Sequence, residues 1–171
     1  LKIDHTYRVA ALCERIANSL SLPPQDVDLA WLCGLLHDVG RFEQLRRYGT
    51  FIDAKSIDHA LMIVTVLFEE GRLRDYIAGT DEDALLRTVI RLHNAYRLPE
   101  EMDDRTRMFC QILRDADKID ILRVNVETPM EQIYNVSTEA LRQSPVSPAV
   151  LDAFYEHHCV LRTLNHYPAD N

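Results

Sequence analysis

Residues 29–40, LAWLCGLLHDVG, form an almost wholly apolar segment that ends in a histidine and an aspartate. A helix with this sequence is apolar on nearly every side, so we expect it to lie in the core of the fold. His37 and Asp38 follow its last leucines, and Gly40 is expected to end it. An unpaired carboxylate would be costly to bury there. A divalent cation that accepts one nitrogen and one oxygen ligand would neutralise it, and the rest of the chain should then supply further ligands.

The spacing of apolar residues elsewhere in the chain predicts further helices and no strands. The predicted helices cover about residues 4–20, 26–36, 41–48, 56–70, 81–94, 103–124 and 148–164. Ser56 is the expected cap of the helix that follows it. The fold class is therefore all-α. With 171 residues and 47% apolar composition, the chain suits a single domain, a helical bundle over residues 1–171.

Composition argues against several classes of function. A formal net charge of -8 disfavours binding to nucleic-acid polymers or to anionic membranes. We find no apolar run long enough for a membrane span and recognise no signal peptide before the first helix. The four cysteines form no C-x-x-C pair, and three lie in apolar helical stretches, which is typical of buried, reduced thiols. We therefore expect a cytoplasmic protein.

Four further polar side chains continue the apolar stripes of their helices and should also point into the core. His5 lies four residues before Val9, and Asp117 lies four residues after Leu113. A lone histidine on an apolar face is most often a hydrogen-bonded core residue. Four histidines and two aspartates from five helices, however, exceed what one packed core satisfies without a metal ion or a water-filled cleft. The four additional residues are His5, His59, His93 and Asp117.

Three motifs, in this order, resemble those of the HD-domain metal-dependent phosphohydrolases. They are DHTYRVA at residues 4–10, LLHDVGRFE at residues 35–43 and DADKID at residues 115–120. The resemblance implies a single all-α domain of the HD type. Its metal-site core would span about residues 4–125, and a C-terminal helical extension would span about residues 129–165.

The resemblance also implies a set of metal ligands. In this family the first histidine, the His-Asp pair and the late aspartate bind one divalent ion, and members with two ions add two intervening histidines. The corresponding residues here are His5, His37, Asp38 and Asp117 for the first ion, and His59 and His93 for the second. Imidazole and carboxylate ligands without thiolate suit Mn, Fe, Co, Ni or Zn, so we expect one or two such ions per chain.

Such a site suits the hydrolysis of a phosphate ester or anhydride, because a bound ion lowers the pKa of a water molecule and holds a phosphoryl oxygen. Asp38, as a ligand, is central to this chemistry. The chain lacks the G-Y-P segment of the cyclic di-GMP phosphodiesterases and is shorter than the dNTP triphosphohydrolases of the family. The expected partner is therefore a small phosphorylated substrate such as a nucleotide.

Other residues near the ligands in sequence are expected to act on the substrate. Lys118 and Arg41 are the cations expected to bind its phosphate. Glu43 or Asp58 is the expected general acid or base, and His59 could serve as the acid instead of as a ligand.

The sequence leaves two alternatives open. One is a two-metal phosphodiesterase, and the other is a non-catalytic domain that binds metal and nucleotide for regulation. A catalytic site keeps a coordination position for water, whereas a structural metal site is closed. The sequence also leaves the oligomeric state open.

Overall fold

The structure of the protein, a computed structural model, describes residues 2–134 and 136–170, and within these ranges every regular element is helical. The predicted all-α class is confirmed. Within the same ranges, no helix combines the length and the hydropathy of a membrane span. A π-helix over Thr65–Glu69 directly follows α4. The α-helices are α1 (Lys2–Ser19), α2 (Pro24–Leu36), α3 (Val39–Tyr48), α4 (His59–Val64), α5 (Asp83–Leu92), α6 (Asp104–Glu127), α7 (Met130–Tyr134), α8 (Thr138–Gln143) and α9 (Pro148–Tyr155).

The chain divides into two compact units, and the boundary between them falls within α6. The first unit ends at Asp120 and contains α1 to α5 and most of α6. The second unit begins at Ile121 and contains α7 to α9. All the predicted metal ligands lie in the first unit. That residues 1–171 form one domain, with a core up to about residue 125, stays a prediction.

Helices α1 and α2 pack so closely that one position in α2 has no room for a side chain. A Cβ atom added to Gly34 would lie 2.6 Å from the Cα atom of Ala10 and 2.8 Å from its backbone nitrogen. Glycine is the residue that permits this approach of two backbones. The approach places His5, near the start of α1, beside His37, at the end of α2, with their ring centroids 5.3 Å apart.

A second close approach joins α3 to α4. A Cβ atom added to Gly40 would lie 2.6 Å from the backbone nitrogen of Ile63. The expectation that Gly40 ends α2 is wrong, because α2 ends at Leu36 and Gly40 lies in the first turn of α3. The glycine is required here by packing and not by a left-handed backbone. It brings the segment that follows the His-Asp pair against α4.

The core of the first unit is built from the apolar stripes of α1, α2, α4, α5 and α6. Cys13, Cys33 and Cys110 are buried in it, as the sequence predicts. The stripes identified from the sequence are therefore the buried faces of these helices. The largest fully buried side chains include Leu36, Ile63, Leu86, Phe109 and Leu113.

The start of α4 differs from the predicted one. The helix begins at His59, and its N-cap is Asp58, whose Oδ1 accepts a hydrogen bond from the backbone nitrogen of Ala60 at 2.9 Å. The predicted cap, Ser56, is wrong, since its hydroxyl donates to the carbonyl of Ile52 at 2.9 Å. The aspartate directly before the first helical residue supplies the acceptor that the helix start requires.

In the second unit, α9 is shorter than the predicted helix over residues 148–164. It ends at Tyr155, and His157 has a left-handed backbone with φ of 58°, which a continuous α-helix cannot contain. Asp170 accepts hydrogen bonds from the backbone nitrogen and the hydroxyl of Ser147, each at 2.7 Å. This carboxylate therefore ties the end of the second unit to the residue that precedes α9.

Replacing Gly34 with alanine is expected to lower the free energy of unfolding by about 2 kcal/mol or more, because the added methyl group must push α1 and α2 apart. Urea unfolding followed by circular dichroism measures the change. Gly79→Ala is the matched control, since a Cβ atom there meets no atom within 4 Å. Equal stabilities of the two variants would contradict the close approach of the two helices.

Candidate metal centre

Four of the predicted ligands meet where α1, α6 and the junction of α2 with α3 come together. Nε2 of His5 lies 3.3 Å from Oδ1 of Asp117 and 3.9 Å from Oδ2 of Asp38. Nε2 of His37 lies 3.8 Å from each of the same two oxygens. All four residues are at most 6% exposed. The structure thus brings together four residues that are far apart in sequence.

The two other predicted ligands adjoin this group. His59, the first residue of α4, and His93, directly after α5, are buried, and their Nε2 atoms are 3.0 Å apart. Ligand atoms of Asp38, His59 and His93 lie within 4.8 Å of one another. Ligand atoms of His5, His37 and Asp38 also lie within 4.8 Å of one another, so Asp38 belongs to both groups.

All four imidazoles use Nδ1 for a hydrogen bond, so Nε2 is the nitrogen that faces the cluster. A neutral imidazole that donates from Nδ1 has an unprotonated Nε2, which is the form that binds metal. Histidines that bind metals generally donate their other N–H group to a carboxylate or carbonyl in this way. The pairs, each 2.6–2.7 Å apart, are His5 with Asp120, His59 with Asp53, His37 with the carbonyl of Gly34, and His93 with the carbonyl of Ile90.

The donor set fits a divalent metal ion. Nε2 of His37 is buried and has no hydrogen-bond partner among the described residues. The Nε2 atoms of His59 and His93 are only 3.0 Å apart, beside the carboxylate of Asp38. A divalent ion bound to both nitrogens would satisfy two donor atoms that otherwise face each other. Imidazole nitrogens and carboxylate oxygens without thiolate suit Mn, Fe, Co, Ni or Zn.

Neighbouring charges keep the two central carboxylates ionised. Burial alone would raise the pKa of Asp38, but His37 and the ammonium group of Lys2 hold it well below its usual range. Burial also opposes ionisation of Asp117, and the contacts with His5 and Lys118 lower the pKa of that carboxyl all the same. Ionised carboxylates are the form that binds a metal ion.

Burial has the opposite effect on most of the histidines. It lowers the pKa of His37, His59 and His93, the last to about 4, so these rings are neutral near pH 7. His5 differs: burial would lower its pKa, but the hydrogen bonds to Asp117 and Asp120 raise it. The cluster therefore combines two carboxylates with three neutral imidazoles and a fourth that shares protons with carboxylates.

Lys118, predicted to bind phosphate, contacts the cluster at its edge. Its Nζ atom is 2.6 Å from Oδ2 of Asp117, and its side chain is 61% exposed. The other oxygen of that carboxylate, Oδ1, faces His5. Lys2 makes a comparable contact with Oδ2 of Asp38 at 2.7 Å. Two partly exposed ammonium groups thus lie beside the two buried carboxylates.

Arg41, the other predicted phosphate ligand, is held by the segment between α3 and α4. Its Nη1 atom donates to the carbonyl of Phe51 at 2.7 Å and to Oδ1 of Asp53 at 2.6 Å. Its Nε atom is 3.7 Å from Oδ1 of Asp38. Arg41 therefore lies next to the cluster, and the Nη1 atom of its guanidinium group already donates hydrogen bonds within the protein.

The structure separates the two candidates for the general acid or base. Glu43 contacts Arg46 and Arg47, whose hydrogen bonds lower its pKa to about 2, and none of its described contacts is with the cluster. Asp58 lies close to His59, with ligand atoms within 4.8 Å. Its pKa is also lowered: burial would raise it, but Asn94 and the start of α4 outweigh burial.

Four residues outside the predicted set support the cluster. Asp120 could have been found, because it lies three residues after Asp117 and so near the same face of α6. Lys2, Gln44 and Asp53 left no such signal, since their roles depend on contacts between elements. Gln44, for example, is fully buried on a helix of polar composition and donates to Asp53 at 2.9 Å.

Acidification of chelated protein is expected to lower its free energy of unfolding between pH 6.5 and about 4. In this range His93 takes up a proton in the unfolded chain, where its pKa is 6.5, but not in the folded one, where it is about 4. His93 alone would account for about 3 kcal/mol at most. Urea unfolding at several pH values measures this slope, and His93→Asn should reduce it. Identical slopes in the variant and the unaltered protein would contradict the buried, neutral state of His93.

Comparison with known proteins agrees with this geometry. A family model described as the HD domain matches residues 3–122. A search of curated proteins and a search of solved structures both gave no match. HD domains are generally metal-dependent hydrolases. Because the match spans well over half of the chain, the protein belongs to the HD-domain family, within the superfamily of metal-dependent phosphohydrolases.

Proposed function

We propose that this protein is a divalent-metal-dependent phosphohydrolase that cleaves a phosphate ester or anhydride bond in a nucleotide or another small phosphorylated metabolite. The observation that supports this function best is the convergence of four Nε2 atoms and two buried, ionised carboxylates in one cluster. A structural role alone would not require so many nitrogen and oxygen atoms able to bind a metal close together in a folded core.

Two overlapping groups of residues would hold the metal. When bound, a divalent ion supplies a water molecule of lowered pKa and a positive charge next to a phosphoryl oxygen. Asp38 belongs to both groups and is therefore the residue whose loss affects the site most. His5, His37, Asp38 and Asp117 would hold one ion, and His59 and His93 would hold a second together with Asp38.

Cations beside the cluster would bind the phosphate. The ammonium group of Lys118 is the most accessible of them, and it binds the oxygen of Asp117 that faces away from His5. Phosphate could therefore approach Lys118 without displacing Asp117 from the cluster. Arg41 would contribute a second positive charge, because its guanidinium group lies beside the other carboxylate, Asp38.

The lowered pKa values restrict the roles of the two acidic candidates. Both Glu43 and Asp58 are ionised near neutral pH, so each can accept a proton but has none to donate. Asp58 pairs with Arg91 at 3.1 Å but also lies beside His59, whereas the described partners of Glu43 are two arginines of its own helix. We therefore assign Asp58, and not Glu43, the role of general base.

A two-metal phosphodiesterase is the second candidate. The observation that favours it is the His59–His93 pair, whose Nε2 atoms are 3.0 Å apart beside Asp38. Metal content per chain separates this candidate from a one-metal nucleotidase. A screen of phosphate esters, nucleotides and cyclic dinucleotides with manganese-loaded and chelated protein tests the general proposal. Absence of metal-dependent hydrolysis throughout the screen would favour a regulatory domain that binds nucleotide without turnover.

Asp38→Ala is expected to reduce metal-dependent turnover by about a hundredfold or more, because the variant loses the carboxylate common to both groups. The helical circular dichroism spectrum should persist, since the change also removes a buried charge. Elemental analysis should show less bound metal. Asp75→Ala is the control, because Asp75 is 60% exposed and pairs with Arg72 at 3.4 Å. Full activity of the Asp38 variant would reject the site.

Lys118→Met is expected to reduce kcat/KM by about tenfold to a hundredfold, because it keeps most of the apolar stem but removes the cation that would bind phosphate. Metal content should not change, as a protonated ammonium group has no lone pair to offer a metal. Arg72→Met, at a position that is similarly exposed (65%), serves as the control. If both variants keep the original kcat/KM, phosphate binding must be assigned to Arg41 instead.

A further inference from the structure

Asp53 lies between α3 and α4 and contacts His59, the first residue of α4. Its Oδ2 atom is 2.6 Å from Nδ1 of His59. The other ring nitrogen of His59, Nε2, is 3.0 Å from Nε2 of His93. His59 therefore has a hydrogen-bond partner at each end of the ring. A neutral imidazole has only one proton to donate, so only one of the two can receive it.

The state of His93 is fixed by its own backbone contact. Its Nδ1 atom is 2.7 Å from the carbonyl of Ile90, and a carbonyl only accepts, so Nδ1 carries the proton. Nε2 of His93 is consequently unprotonated, and its lone pair faces His59. Without another influence, His59 would place its proton on Nε2 and donate to that lone pair.

Asp53 offers a stronger acceptor at the opposite end of the ring. A hydrogen bond to an ionised carboxylate is roughly twice as strong as one between neutral groups, and this one is also the shorter of the two. We propose that Asp53 is a positioning residue that holds His59 in the tautomer protonated at Nδ1. The Nε2 lone pairs of His59 and His93 are then both available to bind a metal cation.

Asp53 is itself held by two side chains of α3. Oδ1 accepts hydrogen bonds from Arg41 Nη1 at 2.6 Å and from Gln44 Nε2 at 2.9 Å. Gln44 is completely buried, and its own carbonyl oxygen accepts from Arg41 at 2.9 Å. With Oδ1 fixed in this way, Oδ2 is left to face His59. The position of α3 is thereby coupled to the proton on a histidine of α4.

This inference deepens the proposed function, on which its consequence for metal binding rests, but the tautomer itself can be measured without metal or substrate. Long-range proton–nitrogen NMR spectra of chelated protein, with ¹⁵N-labelled histidine, distinguish protonation at Nδ1 from protonation at Nε2. For His59 in the unaltered protein we expect the proton on Nδ1. A proton on Nε2 would overturn the proposal, whether or not any variant folds.

Asp53→Asn should shift the proton of His59 to Nε2, where it donates to His93. Asp53→Glu, which keeps the negative charge, should restore the Nδ1 form at least in part. Asp83→Asn is the matched control, because Asp83 is similarly exposed (37% against 32%) and is also paired with an arginine, Arg74. A folded Asp53→Asn protein with an unchanged His59 spectrum would overturn the proposal, since a merely structural role for Asp53 leaves the tautomer as it is.

Zinc affinity, measured by competition with a chromophoric chelator, separates this inference from the proposed function. If His59 and His93 are ligands, Asp53→Asn should weaken zinc binding by about tenfold to a hundredfold. An altered tautomer together with a weakened affinity supports both proposals. An altered tautomer with unchanged affinity supports the positioning role of Asp53 and contradicts the assignment of the His59–His93 pair as ligands.

Discussion

The structure depends on the burial of two carboxylates, Asp38 and Asp117, in a bundle whose helices are otherwise packed through apolar side chains. Each would cost several kcal/mol if it were left unpaired. The chain offsets this cost with one ammonium group per carboxylate, from Lys2 and Lys118, and with the imidazoles of His5 and His37, which face both carboxylates. Helices that contribute these groups have to meet at one place, which the close backbone approach at Gly34 allows.

A simple rule relates the position of each histidine in its helix to the group that orients it. His37 and His93 directly follow helices, where the last carbonyls have no partner within the helix, and each contacts the carbonyl three residues earlier. His5 and His59 lie at helix starts, where the unpartnered groups are N–H donors. These two therefore use carboxylates from other elements. The two kinds of partner produce the same result, an Nε2 atom directed at the cluster.

Some parts of the site could be predicted from the sequence and others could not. Helical periodicity placed His5, His59, His93 and Asp117 on buried faces, because the apolar neighbours that define each stripe are close in sequence. The periodicity contains no information about Asp53 or Gln44, which reach the site through the segment between α3 and α4. The local sequence predicts a helix end at Gly40, because glycine commonly occupies such positions. Its close approach to Ile63 is a tertiary contact that no local pattern encodes.

The motif DADKID in α6 shows how much of the site one helical turn can supply. Asp117 faces the core, and Asp120, three residues later, lies near the same face, so both carboxylates reach the same imidazole, one at each ring nitrogen of His5. Lys118 is turned by about 100° from Asp117 and reaches solvent. Because His5 requires both carboxylates, a shift of α6 by one residue along α1 would break both contacts at once. The contacts of Asp117 and Asp120 with His5 therefore fix the position of α6 along α1. They also fix the distance between Asp117 and the His-Asp pair that follows α2.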